Sequence, residues 1–395
     1  MWGEGEMSRC IPLSIPNFEG NEKKYVDDAL EQGWVSTGGA YITKLEESMA
    51  EFLNIDNVVA CQSGTSALHL ALIEAGVKPG DVVIVPALTF IAAVNPVKYQ
   101  FATPVFMDCD DSFCMDPIKL AEFCEEECVF ESGCLKYNGH IVKALIVVHV
   151  FGNMADMISI MHIANKYGIK VIEDATEALG TYYTDGKYAG KYAGTIGDFG
   201  AYSFNGNKII TTGGGGAITA RDVKSIDHIR YLSTQAKDDI HYYIHNEIGF
   251  NYRMTNLQAA LGVAQMEELP EFIKRKQKNF VIYNELFKGY KNGKMIGFRD
   301  GTSSNKWFYS LEINRDNIKM SMHEIISELE NRGVQTRAIW GIISEQKPYQ
   351  NEKAYKLEKA IYYTQRILNI PSSTQITVDD IEYTVEQIKK VLGGI

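Results

Sequence analysis

Seven short apolar, β-branched runs punctuate the N-terminal half of this chain: Asn57–Cys61, Val82–Pro86, Pro104–Asp108, Ala144–Val148, Lys170–Glu173, Gly200–Phe204 and Gly216–Ala220. Helix-period segments such as Thr65–Ala75 and Ala155–Tyr167 lie between most of them. A strand followed by a helix must cross over before it pairs again, so the pairing is parallel. Parallel strands are covered on both faces and therefore read as continuous apolar runs, as these do. The spacing predicts an α/β fold built on a mostly parallel sheet of seven strands.

After Asn256 the pattern changes. Leu257–Glu268 and Glu271–Lys288 read as two helices separated by Pro270. A strand at Trp307–Ile313, a helix at Met322–Arg332, a strand near Val334–Ile339 and a last helix at Asp379–Leu392 follow. Thr377 and Asp380 have the spacing of a capping box, with Asp in place of the preferred Glu. The expected organisation is an N-terminal segment over 1–20, a large domain over 21–268 and a smaller α+β domain over 269–395.

Composition bounds the class. The chain is 45% hydrophobic and 23% charged, as in a soluble globular protein. The longest strongly apolar run, Ala144–Val150, is too short to span a membrane, so no membrane partner is expected. Met1–Glu6 reads as a loose leader before Met7 rather than a signal peptide, and a cytoplasmic enzyme is expected. A net charge of −11 argues against a nucleic-acid surface, and it requires local cations for any anionic substrate. Seven cysteines in such a chain are expected as free thiols. Cys124, Cys128 and Cys134 sit at irregular spacing among acidic residues, which does not suit zinc; no metal is expected, and Glu122–Gly139 reads as an insertion.

The chemistry concentrates at the strand ends. Lys208 stands between the Phe199–Phe204 run and four glycines, Gly213–Gly216. A lysine is a carbonyl nucleophile only when neutral or condensed as an imine, and glycines admit a bulky partner. Ser203, five residues earlier, could hold a phosphate. Taken alone, the segment also fits a surface hairpin with a solvated lysine. Asp174 closes the Lys170–Glu173 run, where open α/β sheets bind ligands, and could hold a protonated pyridine nitrogen or simply cap a helix. Gln62–Ser66 leads into a helix whose first N–H groups favour phosphate, which brings in Gly64 and Thr65. Phe90 follows a strand and a proline and could lie on a flat ring or in the core.

With those residues in order, the chain resembles the sugar aminotransferases of pyridoxal-phosphate fold type I, the DegT/DnrJ/EryC/StrS type. The matching segments are Trp34–Gly38, Ser63–Thr65, Pro86–Phe90, His149–Asp156, Glu173–Asp174, Ser203–Gly216 and Gly249–Asn256. The resemblance implies an aspartate-aminotransferase-like large domain and pyridoxal 5′-phosphate as cofactor. It implies that Lys208 forms the imine and shuttles the proton, that Asp174 holds the pyridinium, and that Phe90 stacks on the ring. Gly64, Thr65 and Ser203 would take the phosphate, and Asn251 would reach the phosphate of a neighbouring subunit, which implies a homodimer. Two departures stand out: Glu177 replaces the His or Gln common near the phenolate oxygen, and Gly213–Gly216 lacks the usual Glu. An ionised Glu177 would repel the phenolate, so it must carry a proton or point elsewhere. Both departures resemble the subgroup acting on UDP-linked 4-keto-6-deoxy N-acetyl sugars.

Substrate contacts are expected from Thr37 in the loop after Trp34, from His149 and Asn153 beside a strand end, and from Arg253, Lys306, Trp307 and Arg337 for the diphosphate or nucleotide. The partners implied are a nucleotide sugar and an amino-acid donor, by resemblance glutamate. A sugar dehydratase on the same fold is the nearest rival, but such relatives have His where this chain has Lys208. A non-catalytic phosphate-binding protein would gain nothing from Asp174.

Overall fold

The computed structural model describes residues 9–239 and 241–393, so the Met1–Glu6 leader lies outside the described residues. The seven expected strands form as β1 (Val58–Cys61), β2 (Val82–Pro86), β3 (Thr103–Met107), β4 (His140–Val148), β5 (Lys170–Asp174), β6 (Phe199–Ser203) and β7 (Gly216–Ala220). They lie in the order β1-β7-β6-β5-β4-β2-β3. Neighbours from β6 through β5, β4 and β2 to β3 are parallel. Strand β7 is antiparallel to both β1 and β6, so it alone of the seven runs against the rest. The sheet is larger than expected. A parallel strand, Ala354–Tyr355, joins at β3, and the hairpin Cys128–Glu131/Cys134–Tyr137 joins at the start of β4. That hairpin fills only the later part of the expected Glu122–Gly139 insertion, since Glu122–Glu126, with Cys124, instead ends the helix Pro117–Glu126; Cys124, Cys128 and Cys134 carry free thiols.

The strand direction has a functional consequence. Because β1, β2, β5 and β6 point the same way, the residues just after them meet at one edge of the sheet. Ser63-Gly64-Thr65 and Phe90 follow β1 and β2, and Asp174 and Ser203 are the last residues of β5 and β6.

One expectation is overturned. Pro270 does not interrupt the chain of helical turns; Asn256–Phe287 is a single helix of 32 residues that contains it. An interior proline costs about 3 kcal/mol by removing one helical N–H donor. Burying a single Leu or Phe returns about 1.5–3 kcal/mol. Leu269 and Phe272 on either side of Pro270 are both buried, so packing outweighs the lost bond. Thr255 starts the helix with a full capping box to Gln258, a second local reason for the helix to begin there.

The expected boundary at 268/269 falls inside this helix, whose later turns serve a second core. Phe280, Tyr283 and Phe287 pack there with Leu311, Ile313, Leu368, Ile370, Ile381 and Ile388. The frame is a four-stranded antiparallel sheet in the order Gly293–Met295, Tyr309–Ile313, Ile367–Ile370, Arg337–Ala338. Two helices, Met322–Asn331 and Val378–Leu392, complete it. The last is capped by Thr377, which accepts from the Asp380 N–H at 3.1 Å. Asp380 is a methylene too short for the reciprocal bond, and its carboxylate accepts from the Thr377 hydroxyl and from Arg9 instead. The N-terminal segment crosses this lobe: Ile11 donates to the Gly333 carbonyl, and the Leu13 carbonyl accepts from Ser372.

Candidate active site

A cavity of about 740 Å³ opens at the carboxyl edge of the large sheet. Gly64, Thr65, Phe90, Asp174, Glu177, Ser203, Lys208, Trp307 and Arg337 all line it. These residues come from the turns after four strands and from the second lobe, and no short stretch of sequence holds more than a few of them.

Lys208 sits in the loop joining antiparallel β6 and β7, so the hairpin alternative is geometrically sound. Its side chain is not solvated, however; only 13% remains exposed. The loop is closed by Phe204 N–H to Gly215 C=O at 2.9 Å and Thr212 N–H to Phe204 C=O at 2.9 Å. Gly215 has φ +148°, and a Cβ there would overlap Thr212 Oγ1. The glycine tract therefore lets the loop fold back and turn Lys208 inward. Lys208 Nζ lies 4.2 Å from the Trp307 ring centroid and 3.7 Å from Glu177 Oε1. The Trp307 indole N–H donates to the Asn207 carbonyl at 2.7 Å, which fixes the ring beside the loop.

Asp174 begins no helix. Its Oδ1 accepts from the Thr176 N–H at 3.0 Å in a turn, and the carboxyl is buried. Burial raises its pKa, opposed by those Thr176 bonds and by Lys208. Glu177 points into the site. Burial pushes its carboxyl up to about 7 despite the nearby Lys208. Its Oε2 accepts from the Phe151 N–H at 2.8 Å.

At the opposite wall the helix Gly64–Glu74 begins, with Ser63 accepting from the Ser66 N–H at 3.0 Å. The N–H groups of Gly64 and Thr65 precede any possible intrahelical acceptor and face an anion-favouring helix end. A Cβ on Gly64 would meet Thr176 Cγ2 at 2.8 Å and Ser203 Cβ at 3.0 Å, so only glycine leaves this cradle open. Phe90 is 54% exposed, an aromatic face free to cover a ring. A bare cradle at a helix N-terminus, an inward lysine, a buried carboxyl and an open aromatic face together fit pyridoxal phosphate.

The structure moves several expected contacts elsewhere. His149 is fully buried; its Nδ1 accepts from the Ala155 N–H at 3.1 Å, so its Nε2 donates to Glu173 at 2.9 Å. That arrangement holds the turn after β4 rather than a sugar. Asn153 is buried, and its side-chain Oδ1 accepts from the Arg299 backbone N–H at 2.9 Å. Arg253 is buried in an ion pair with Glu46, which also takes Arg230 at 2.7 Å. Lys306 lies 3.9 Å from the Phe298 ring centroid and 4.1 Å from that of Phe280, and burial pushes its amine down to about 8. None of the four lines the cavity. Thr37 is exposed on a loop pinned by Asn256, which donates to the Trp34 carbonyl at 2.6 Å, and it too lies outside the cavity. Asn251 is exposed, bridged to Thr234, and does not line the cavity of its own chain. Of the three expected diphosphate cations, Arg337 alone reaches the cavity, and among the described residues it makes no ion pair.

Sequence reasoning missed an aromatic wall. Phe151, Phe308 and Trp340 line the cavity beside Trp307, with Phe151 and Trp340 centroids 4.6 Å apart. Phe151 holds φ +55°, a costly conformation for an aromatic residue that no local pattern announces. Trp340 carried a faint signal, being one of only four tryptophans. Lys276 was also missed. Buried in the long helix, it donates to the Trp307 carbonyl at 2.7 Å and the Ser372 carbonyl at 2.5 Å.

Comparison with known proteins places this geometry. The profile of the DegT/DnrJ/EryC1/StrS aminotransferase family matches residues 16–389. GDP-perosamine synthase of Escherichia coli O157:H7 is 34% identical over 386 residues, covering 97% of this chain and 98% of that protein. The enzyme of the same name from Caulobacter vibrioides is 33% identical over 384 residues, covering 97% and 98%. The fold matches the PLP-form of Spr1654 from Streptococcus pneumoniae with TM-score 0.85 at 24% identity, covering 97% of this chain and 98% of that one. With a cavity whose lining fits that cofactor and a family match over nearly its whole length, this chain belongs to the DegT/DnrJ/EryC1/StrS aminotransferase family and is a pyridoxal-phosphate-dependent aminotransferase.

Proposed function

We propose that this enzyme transfers the amino group of glutamate to C4 of a nucleotide-linked 4-keto-6-deoxy sugar, working as a homodimer. The observation that carries the reading is Lys208 turned into a cavity with Arg337 on its wall. A transaminase needs the lysine, and a dehydratase of the same fold does without it. Pyridoxal phosphate, when bound, supplies the aldehyde that carries the amino group and the electron sink for the Cα–H bond.

In this reading the protein's own groups divide the remaining work. Lys208 moves the proton at the substrate carbon, and Asp174 holds the proton of the ring nitrogen. Gly64, Thr65 and Ser203 bind the phosphate, and Phe90 covers one face of the ring. About 740 Å³ suits a site that must accept a donor amino acid and then a larger ketone. The sugar is proposed to be N-acetylated at C2 and carried by UDP, whereas the names of two relatives specify a GDP-linked product. Incubation with a panel of UDP-, GDP- and TDP-linked 4-keto sugars and glutamate, with mass analysis of products, tests it. Efficient amination of a simple 2-keto acid with no keto-sugar nucleotide accepted would sink the proposal.

Arg337 is assigned the diphosphate, because a net charge of −11 cannot draw an anion in without a local cation. Arg337→Met should raise KM for the sugar nucleotide roughly tenfold or more while leaving KM for glutamate within about twofold. Equal increases in both would assign Arg337 to the donor carboxylate or to structure.

Asn251 is assigned to the partner's site, since it is exposed and outside its own cavity. Mixing inactive Lys208→Ala protein with cofactor-poor Asn251→Ala protein should restore activity, as one site of the mixed dimer has both residues intact. Failure to recover activity after proven subunit exchange would remove Asn251 from this role.

A further inference from the structure

A row of polar side chains crosses the sheet of the second lobe on the face turned away from that lobe's core. Tyr309 and Leu311 on one strand, and Leu368 and Ile370 on the next, are buried in the second core. Successive residues of a strand point to opposite faces, so Ser310 and Asn369 between them face the large domain. Ile367, on the same face as Asn369, packs in the large domain's core. The register sets Ser310 opposite Asn369, and Asn369 opposite Arg337 on the edge strand. Directly opposed residues share a face, with Cβ atoms about 4.5–5.5 Å apart. Ser310, Asn369 and Arg337 therefore stand side by side, and the last two line the cavity.

Asn369 is only 3% exposed, yet half of its amide is uncommitted. The Ser310 hydroxyl donates to its Oδ1 at 2.8 Å, and its Nδ2 has no hydrogen-bond partner among the described residues. A donor held out of bulk water without an acceptor is costly, and native proteins rarely leave one idle. Its place on the cavity wall beside a cation supplies the reason. We propose that Asn369 and Arg337 together bind one anionic group of a substrate, the Asn369 N–H donating to an oxygen that the guanidinium leaves free. Ser310, which does not line the cavity, is the positioning residue that holds the amide in this orientation. The guanidinium supplies the charge and takes two oxygens side by side. The amide adds direction without charge. The reaction proposed above brings two such anions, the diphosphate of the sugar nucleotide and the carboxylates of the amino donor. The pairing rests on Arg337 facing the bound substrate, as in that reading.

Calorimetric titration of the cofactor-loaded enzyme with UDP, GDP and inorganic pyrophosphate, together with KM for glutamate, reads the pair. Asn369→Ala should weaken the anion it holds about tenfold while kcat stays within about twofold. Ser310→Ala should weaken the same ligand by a smaller factor, again with kcat unchanged, a split that general loss of packing would not give. Asn369→Ala leaves a gap and an unpaired Ser310 hydroxyl. The double variant Ser310→Ala/Asn369→Leu replaces both polar groups by apolar ones, keeps the fold, and should show the full loss. Arg337→Met combined with Asn369→Ala should cost less than the sum of the two, because both act on one anion. Losses confined to the nucleotides and pyrophosphate place the diphosphate on the pair. Losses confined to KM for glutamate place the donor carboxylate there, so that the pair stands and the assignment of Arg337 to the diphosphate falls. Asn369 variants that bind every one of these ligands within about twofold of native, while Arg337→Met does not, overturn the proposal and leave the Arg337 reading intact. Strictly additive losses in the Arg337→Met/Asn369→Ala variant overturn it as well.

Discussion

Lys208→Ala protein will bind pyridoxal phosphate weakly and turn over at least about a thousandfold more slowly than native enzyme. The size follows from what is lost. Among the described residues no second amine lines the cavity, the only other basic side chain there being the guanidinium of Arg337. Lys276, buried with its amine committed to the Trp307 and Ser372 carbonyls and outside the cavity lining, cannot substitute. Borohydride should fix cofactor to one peptide of native protein, the one containing Lys208. Thermal stability of the apoprotein should not drop, because Lys208 makes one long ion pair and a contact with Trp307 rather than a core contact. Label on another lysine, or residual turnover near the native rate, would end the assignment.

Asp174→Asn should keep the cofactor but lose most activity. A buried carboxylate bound to a pyridinium N–H is a charge-assisted pair worth about 1–2 kcal/mol more than its amide counterpart, or roughly five- to thirtyfold in rate. The apoprotein supplies an independent readout. Burial raises the Asp174 pKa, so its favourable contribution is present below the unfolded value and is lost as pH rises through the folded one. At pH above both values an ionised Asp174 is a cost in the empty site. Apo Asp174→Asn should therefore be at least as stable as native apoprotein in mild alkali, while the loaded variant is the less stable of the two loaded forms. Glu177 adds a slope of the same sign between its unfolded value near 4.5 and about 7, which Glu177→Gln would remove. Near-native turnover of Asp174→Asn would show that the pyridinium proton is held by some other group.

Much of the frame was legible because its causes are local. Continuous β-branched runs such as Val82–Pro86 can only be strands covered on both faces, and a helix between two of them forces a crossover. The Pro270 break was misread for the opposite reason. A helix rule that holds for an exposed segment gives way when Leu269 and Phe272 bury into a core supplied by distant strands. The same distinction runs through the site. Lys208, Asp174, Gly64 and Ser203 announce themselves because reactive, small or charged residues directly after apolar strands have few structural reasons to be there. Arg253, Lys306 and His149 looked equally eligible, and nothing within their own segments separates them from Arg337.

What the amino-acid sequence determined alone was the order of the large sheet's elements and the chemistry available at its edge. Backbone propensity and apolar periodicity act within a few residues, and the turns after strands necessarily collect at one edge. What only the tertiary structure decided was which charges are already spent. Arg253 is neutralised by Glu46 from a helix some two hundred residues earlier, and the Asn153 side chain is taken by the Arg299 backbone. Arg337 is left without an ion-pair partner among the described residues on a strand at the cavity rim. Phe151, strained at φ +55°, and Trp307, held by Lys276, close the cavity from two lobes that meet only in the folded chain. Electrostatic pairing and burial are properties of distance, and sequence separation does not measure distance. That is why Glu177 reads in the sequence as a misplaced acid, and in the fold as a buried carboxyl 3.7 Å from Lys208.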